Sequence, residues 1–133
     1  MATYSDSIML RTKPNQFYDI TDPVEKIVKK SGVKEGLCNI FLSGSTGAII
    51  INENEPMLLE DIRKVLEKIA GSEEIFQHTD NAHSHIQSAL LGPDRTVPIK
   101  NNELVLGTWQ SILFFEADNS QREREIVVTV FGD

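Results

Sequence analysis

The residues best suited to chemistry lie in one short segment, HTDNAHSHIQ, which spans 78–87 and contains all three histidines of the chain. Imidazoles bind divalent metals and transfer protons near neutral pH. Asn81, or Asp80 before it, is a good N-cap, so a helix is expected to begin at about residue 82. His83 and His85 would then point about 200° apart around the helix axis and could not bind one metal together.

His78 lies upstream of this helix and can fold back towards its first turn. The spacing therefore predicts a constellation of His78, Asn81 and His85, with His83 as an exposed residue outside it. The positive end of the helix would also attract an anion such as a phosphate or carboxylate. The alternative is that the segment only starts a helix and carries surface histidines.

Two further segments carry polar groups that could bind a ligand. The turn SGSTG, at 43–47, places the hydroxyls of Ser45 and Thr46 between glycines, which suits either a phosphate-binding loop or a simple hairpin turn. The segment NENE ends a strand with Glu53 and Glu55. These carboxylates could bind Mg²⁺ or act as acid and base, or they could complement the N-terminus of the next helix.

The remaining candidates lie in the C-terminal half. Trp109 and Gln110, in LGTWQS, could line a pocket with an aromatic wall and an amide, although Trp109 could equally be a core residue. Arg95 is a candidate anion anchor if it faces the histidine helix. Arg122 and Arg124 lie in a charged loop and are expected to be solvated.

Hydrophobic periodicity predicts three helices that position these groups. Asp22 is the expected N-cap of the first, Pro23 fits its first position, and Gly32 ends it. The predicted helices cover DPVEKIVKKSG, PMLLEDIRKVLEKIAG and AHSHIQSALLGP. Their expected buried stripes are Val24, Ile27 and Val28; Leu59, Ile62, Leu66 and Ile69; and Ile86, Ala89 and Leu90.

About eight or nine strands account for much of the rest, which predicts an α+β, sandwich-like fold with helices to one side. Hairpins are expected at Lys13-Pro14-Asn15 and at ADNSQRE, and the GSTG turn is expected to join two neighbouring strands. The apolar runs GLCNIFLS and GAIIINE imply burial on both faces. The last strand, EIVVTVF, is either central or covered by another subunit.

Composition narrows the classes of function. A chain of 133 residues is expected to be a single domain spanning 1–133, and a net charge of −7 argues against nucleic acid as a partner. The single cysteine, Cys38, excludes an intrachain disulfide and is expected to be buried. No signal peptide or apolar run of roughly 18 residues is present, so no membrane association and a cytoplasmic location are expected.

Several motifs together resemble the YjbQ-type family of small proteins, often described as secondary thiamine-phosphate synthases. They are YDITDPVEKIVKKSGVKEGLCNIFL, GSTGAIIINENEP, DNAHSHIQSALLGPDRTVPI and LVLGTWQSILFFEAD. The resemblance extends from about residue 5 to 132. It implies a YjbQ-like β-sandwich of mixed sheets with about three helices, assembled as a homotrimer.

The resemblance also implies a polar cleft. The matching positions are His78, Asn81, His85, Glu53, Trp109 and Gln110. Family members commonly carry a histidine immediately before the hydroxyl pair of the 43–47 turn, where this chain has Gly44. A three-histidine zinc site would therefore lack one member, and water or carboxylates would have to complete it.

Three hypotheses about function are considered. The first is a thiamine-phosphate synthase-type transferase, which joins a pyrimidine diphosphate to a thiazole phosphate. Its catalytic residues would be His85 and Glu53, and its ligand-binding residues would be Ser45, Thr46, Asn81, Arg95, Trp109 and Gln110. The second is a trimeric protein that binds a divalent metal (Zn²⁺ or Mg²⁺) through His78 and His85, or a small phosphorylated ligand, without robust catalysis. A third hypothesis is a trimeric scaffold.

Overall fold

Two β-sheets and three helices form the chain in the computed structural model, which describes all 133 residues. The strands are β1 (Ala2–Thr12), β2 (Phe17–Asp19), β3 (Gly36–Leu42), β4 (Gly47–Asn52), β5 (Asp94–Lys100), β6 (Glu103–Leu104), β7 (Ser111–Glu116) and β8 (Arg122–Gly132). The helices are α1 (Thr21–Ser31), α2 (Pro56–Ile69) and α3 (Ala82–Leu91). No helix is long and apolar enough to cross a membrane.

The strands divide into a five-stranded sheet, in the order β1-β8-β3-β5-β6, and a three-stranded sheet, in the order β2-β7-β4. Every strand pair is antiparallel, so the sheets are not mixed. The predicted α+β sandwich with three helices is confirmed.

The main core lies between the two sheets, and α1 contributes to it. Strand β8 directs Ile126, Val128 and Val130 into this core, opposite Ile112 and Phe114 of β7. A smaller apolar cluster, formed by Leu66, Phe115 and Ala117, packs α2 against the other face of the three-stranded sheet. The three-stranded sheet is therefore covered on both faces, which explains the apolar run of β4.

The two expected hairpins, around residues 13–15 and at ADNSQRE, are wrong, whereas the GSTG turn does join two strands as predicted. The connections at residues 13–16, 43–46 and 117–121 each run from one sheet to the other, because β1, β3 and β8 belong to the five-stranded sheet whereas β2, β4 and β7 belong to the three-stranded sheet. A short polar turn reverses or redirects the chain, but its residues do not specify which strand becomes the hydrogen-bonded neighbour.

Strand β3 differs from its prediction, since only one face is buried. Cys38 and Ile40 are fully buried, whereas Leu37 and Phe41 are exposed on the opposite face. Burial raises the pKa of the Cys38 thiol to about 12, so this cysteine is an inert core residue. Strand β8 lies between β1 and β3, which confirms its central position, and Phe131 is exposed on its outer face.

Helix α1 begins at Thr21, so Asp22 lies in its first turn and is not its cap. The Asp19 carboxylate binds this end instead, accepting hydrogen bonds from the Thr21 N–H at 2.9 Å and hydroxyl at 2.6 Å. Burial acts to raise the pKa of Asp19, but hydrogen bonds, led by those from Thr21, outweigh it and the pKa is lowered. The end at Gly32, with φ of 71°, is as predicted.

The predicted stripes differ in accuracy. All three stripe residues of α1 are buried, whereas on α2 only Leu66 is buried and Ile69 is exposed. Helix α2 thus makes a limited contact with the sheet and presents apolar side chains to solvent.

Candidate functional site

The start of α3 brings together the three residues that the spacing selected. The helix begins at Ala82, directly after Asn81. The Asn81 side chain does not cap the helix, and its Oδ1 lies 3.2 Å from Nε2 of His78. The His78 and His85 rings meet edge to face, with 5.0 Å between their centroids and an angle of 82° between their planes. This trio of His78, Asn81 and His85 is a compact polar cluster at the protein surface.

His83 is not the exposed residue that was expected. It is only 5% exposed, and its Nε2 lies 3.3 Å from the Ser84 hydroxyl. Helix α3 buries a face of small and polar residues, whereas Leu90, assigned to its buried stripe, is 56% exposed.

Backbone carbonyl groups beneath α3 explain why the helix buries its small and polar face and exposes Leu90. The Ser88 hydroxyl donates to the Gly47 carbonyl at the start of β4, and the Gln87 amide donates to the Ala70 carbonyl at 2.9 Å. Buried carbonyl groups need donors, and an apolar helix face could not supply them. Hydrogen bonding therefore decides which face of α3 meets the sheet.

A cleft of about 250 Å³ adjoins His78, whereas Asn81 and His85 do not line it. His78, His83 and Asp80 line it together with part of the preceding loop. Asp80 has a left-handed backbone (φ 72°), and its carbonyl accepts a hydrogen bond of 3.3 Å from the Asn119 amide. The histidine loop is thereby attached to the connection between β7 and β8.

The trio fits part of a metal site. No third His, Cys, Asp or Glu side chain joins the two histidines in an arrangement that could hold a metal ion. Structural zinc sites have four protein ligands, whereas exchangeable sites leave positions for water or substrate. Imidazole nitrogen suits Zn²⁺ and similar ions, and Mg²⁺ prefers oxygen. The trio therefore offers two imidazoles with an amide beside them.

The other predicted site residues do not join the trio. The Arg95 guanidinium donates to the carbonyls of Leu91 and Asp94, so it occupies the C-terminal end of α3, away from the histidines. Trp109 is 73% exposed, which excludes a core role, and Gln110 accepts a hydrogen bond from the Gly107 N–H at 2.8 Å.

The two glutamates after β4, Glu53 and Glu55, have different surroundings. Glu55 caps α2, since its carboxylate accepts hydrogen bonds from the N–H groups of Met57 at 2.7 Å and Leu58 at 3.0 Å. Glu53 is half-buried, and neither its carboxylate nor that of Glu55 is bonded to the histidines.

The structure contains a buried polar network that the sequence prediction missed. Arg124, expected to be solvated, is 8% exposed, and its Nε and Nη2 donate to the two carboxylate oxygens of Glu116 at 2.7 and 2.5 Å. A signal was available: Arg124 is in the same alternating register as Ile126 and Val128, which places it on the inner face of β8.

Hydroxyl groups connect this network to both sheets. Thr12 of β1 donates to Glu116 at 2.6 Å, and Thr46 donates to Asp118 at 3.0 Å while accepting from Arg124 at 2.8 Å. Burial acts to raise the pKa of Asp118, but hydrogen bonds from Asn119, Arg122 and Thr46 and the charge of Arg122 outweigh it, and the pKa is lowered. The hydroxyl of Thr46, a predicted ligand group, is therefore already engaged.

Comparison with known protein families shows which family the chain belongs to. The family described as "UPF0047 protein YjbQ-like" matches residues 6–133. The chain belongs to the YjbQ-like family. A UPF0047 protein of Methanothermobacter thermautotrophicus is 42% identical to it over 136 residues, which cover 99% of this chain and 94% of the relative.

Solved structures confirm the YjbQ-like fold. A YbjQ-like protein of unknown function from Sulfolobus solfataricus P2 superposes with a TM-score of 0.96 at 40% identity and covers 99% of both chains. An uncharacterised YjbQ/UPF0047 protein from Clostridium acetobutylicum gives a TM-score of 0.90 at 36% identity, covering 95% of this chain and 99% of its own. These names state no activity, so the function has to be argued from the site.

Proposed function

We propose that this YjbQ-like protein is a small-ligand-binding protein that holds a divalent metal ion through His78 and His85. The observation that carries the proposal is the edge-to-face contact of the two imidazoles, 5.0 Å apart at their centroids. One histidine lies in the loop and the other in the first turn of α3, so the pair is formed by a local structure that the helix start defines.

Asn81 prepares His78 for this role. Its carbonyl oxygen can only accept a hydrogen bond, so the contact at 3.2 Å favours the tautomer with the proton on Nε2 of His78. Nδ1 then carries the free lone pair that a metal requires. A metal bound there would supply a Lewis acid, and two imidazoles leave positions open for phosphate oxygens or water.

Metal binding by purified protein tests this proposal. Isothermal titration with Zn²⁺ should give one site per chain, and His78→Ala or His85→Ala should weaken it at least tenfold, about 1.4 kcal/mol. Gln77→Ala is the matched control, because Gln77 is the exposed neighbour of His78 and should bind as the parent does. Mg²⁺ should bind far more weakly than Zn²⁺. Absence of Zn²⁺ binding, or equal binding by all four proteins, would contradict the proposal.

A thiamine-phosphate synthase-type transfer is the second candidate. The cleft of about 250 Å³ beside His78 favours it, because it approaches the roughly 300 Å³ at the lower end of ligand pockets. His85 would transfer a proton, and Glu53 would be the second acid–base group. The side chains of Thr46 and Arg95 are already hydrogen-bonded within the protein, which argues against the phosphate-binding role first expected for them.

Complementation distinguishes this candidate from simple binding. A thiamine auxotroph that lacks its own synthase should grow when it expresses the parent chain and should fail with His85→Ala. Gln77→Ala should rescue growth as the parent does. If the parent gives no growth although the protein accumulates, the synthase activity is excluded; if His85→Ala rescues equally well, His85 has no role in it.

We further propose a homotrimeric assembly. The outer face of the five-stranded sheet supports it, since Leu37, Phe41 and Phe131 are exposed there. Leu37 and Phe131 are directly opposite one another, and the polar pair Asn39 and Thr129 lies between them and Phe41. Large apolar side chains exposed on a sheet face are typical of surfaces that a further chain covers.

A further inference from the structure

The guanidinium of Arg124 is only partly used by the buried network. Its side chain is 9% exposed, and Nε and Nη2 donate to Glu116 and to Thr46. Nη1 donates no hydrogen bond within the chain. The guanidinium is thus held along one edge, and Nη1 is reached by solvent, since it is not among the buried side-chain atoms that lack a partner.

The unpaired amine faces the turn between β3 and β4. A Cβ built on Gly44 would lie 2.9 Å from Nη1 of Arg124, so the turn backbone passes directly over the guanidinium. Glycine is the residue that leaves this amine uncovered, because any larger side chain at position 44 would collide with it or displace it.

The turn itself offers a second set of donors. None of the N–H groups from Ser43 to Thr46 donates a hydrogen bond to the protein backbone or to a side chain, although the Thr46 carbonyl accepts from Ala117 and from Arg124. Ser43, Gly44 and Ser45 are exposed. Unpaired N–H groups beside a cationic group are free to bind an anion.

We propose that the Ser43–Thr46 turn and Nη1 of Arg124 form a binding site for a phosphoryl group. A phosphate has enough acceptor oxygens to satisfy the arginine amine and several backbone N–H groups at once, and charge-assisted bonds of this type are the strongest available. The Ser45 hydroxyl is exposed and free to contribute, whereas the Thr46 hydroxyl is engaged by Asp118. This site uses none of the metal-site residues and stands independently of the proposed function.

The charges around the site set its strength. Glu116 lies on the far edge of the Arg124 guanidinium, and Arg122 is paired with Asp118, so the cations of the network are already balanced. The unpaired donors therefore provide directional hydrogen bonds more than net positive charge. Binding should accordingly depend on phosphate geometry and persist at moderate ionic strength.

Amide chemical shifts give a direct test. Inorganic phosphate, titrated into ¹⁵N-labelled protein at constant ionic strength, should move the amide signals of Ser43–Thr46 in a saturable way, and equivalent NaCl should not. Gly44→Val should weaken this binding at least tenfold, because its side chain would occupy the space over Nη1. Position 44 has no left-handed backbone, so the substitution avoids that strain.

Gly107→Val is the matched control, since Gly107 is an exposed turn glycine whose added Cβ would approach only the flexible Gln110 side chain. It should bind phosphate like the parent, as should a variant with both His78→Ala and His85→Ala. Absent shifts, equal shifts with chloride, or undiminished binding by Gly44→Val would overturn the proposal. Loss of binding in the double histidine variant would overturn the independence of the site.

Discussion

At the scale of single residues, the Arg124–Glu116 pair joins the two sheets. Glu116 lies on the three-stranded sheet and Arg124 on the five-stranded sheet, and the turn residue Thr46 bonds to the arginine. Breaking a buried ion pair by removing one partner costs about 3–5 kcal/mol. The pair therefore holds the 43–46 turn in place as well as joining the sheets.

Asp118 makes this network sensitive to acid. Asp118→Asn keeps the shape of the side chain but removes the charge that binds Arg122 and the Thr46 hydroxyl, so we expect a loss of about 1–3 kcal/mol in the free energy of unfolding at pH 7. The pKa of Asp118 is lowered on folding, so its stabilising effect is present above the unfolded value of about 3.9 and is lost as pH falls through the folded value.

Urea unfolding of the parent and Asp118→Asn, followed from pH 7 to pH 3, measures this effect. The difference in stability should shrink on acidification. Asp61→Asn, an exposed substitution on α2, is the control and should match the parent throughout. A difference for Asp118→Asn that stays constant with pH would show that the charge is not responsible.

At the scale of elements, the connections between strands position the two candidate sites more directly than the strands do. The 43–46 turn and the histidine loop both attach to the β7–β8 connection, through the bond from Thr46 to Asp118 and the bond from Asn119 to the Asp80 carbonyl. The polar face of α3 anchors the helix on β4 and fixes where the histidine loop can lie. The two candidate sites are therefore supported by one segment of the chain.

At the scale of the whole molecule, one sheet face is left uncovered. Leu37 pairs directly with Phe131 across β3 and β8, and Phe41, four residues along β3, lies on the same face. All three side chains are exposed. Helices and the second sheet cover the inner face only, so the outer face is the natural contact surface for the proposed trimer.

Sedimentation velocity tests this assembly. The parent should sediment as a species of three times 14.9 kDa, and the double variant Phe41→Ser, Phe131→Ser should dissociate to monomers, since burial of two aromatic rings per chain would be lost. Met57→Ser, an exposed apolar position on α2, is the control and should remain trimeric. A monomeric parent, or a double variant that stays trimeric, would argue against this proposal.

The sequence by itself determined the features that depend only on residues close together in the chain. The position at which α3 starts and the cluster of His78, Asn81 and His85 follow from residue types at the helix boundary and from helical rotation over a few positions, although the Asn81 side chain binds His78 and does not cap the helix. The number of helices and strands followed in the same way from local periodicity. The family relationship also followed, because its motifs are written along the chain.

Only the tertiary structure decided which strands pair and which distant groups form hydrogen bonds with one another. Two connections expected to form hairpins cross between sheets, because strand pairing depends on which distant strand offers a complementary face. His83 and Arg124 were expected to be exposed but are buried. Backbone carbonyls of distant segments bind Gln87 and Ser88 and so hold the face of α3 that carries His83 on the sheet, and Glu116 of the other sheet binds Arg124. Burial of a polar group is favourable only with such a partner, and a partner many residues away has no local signature.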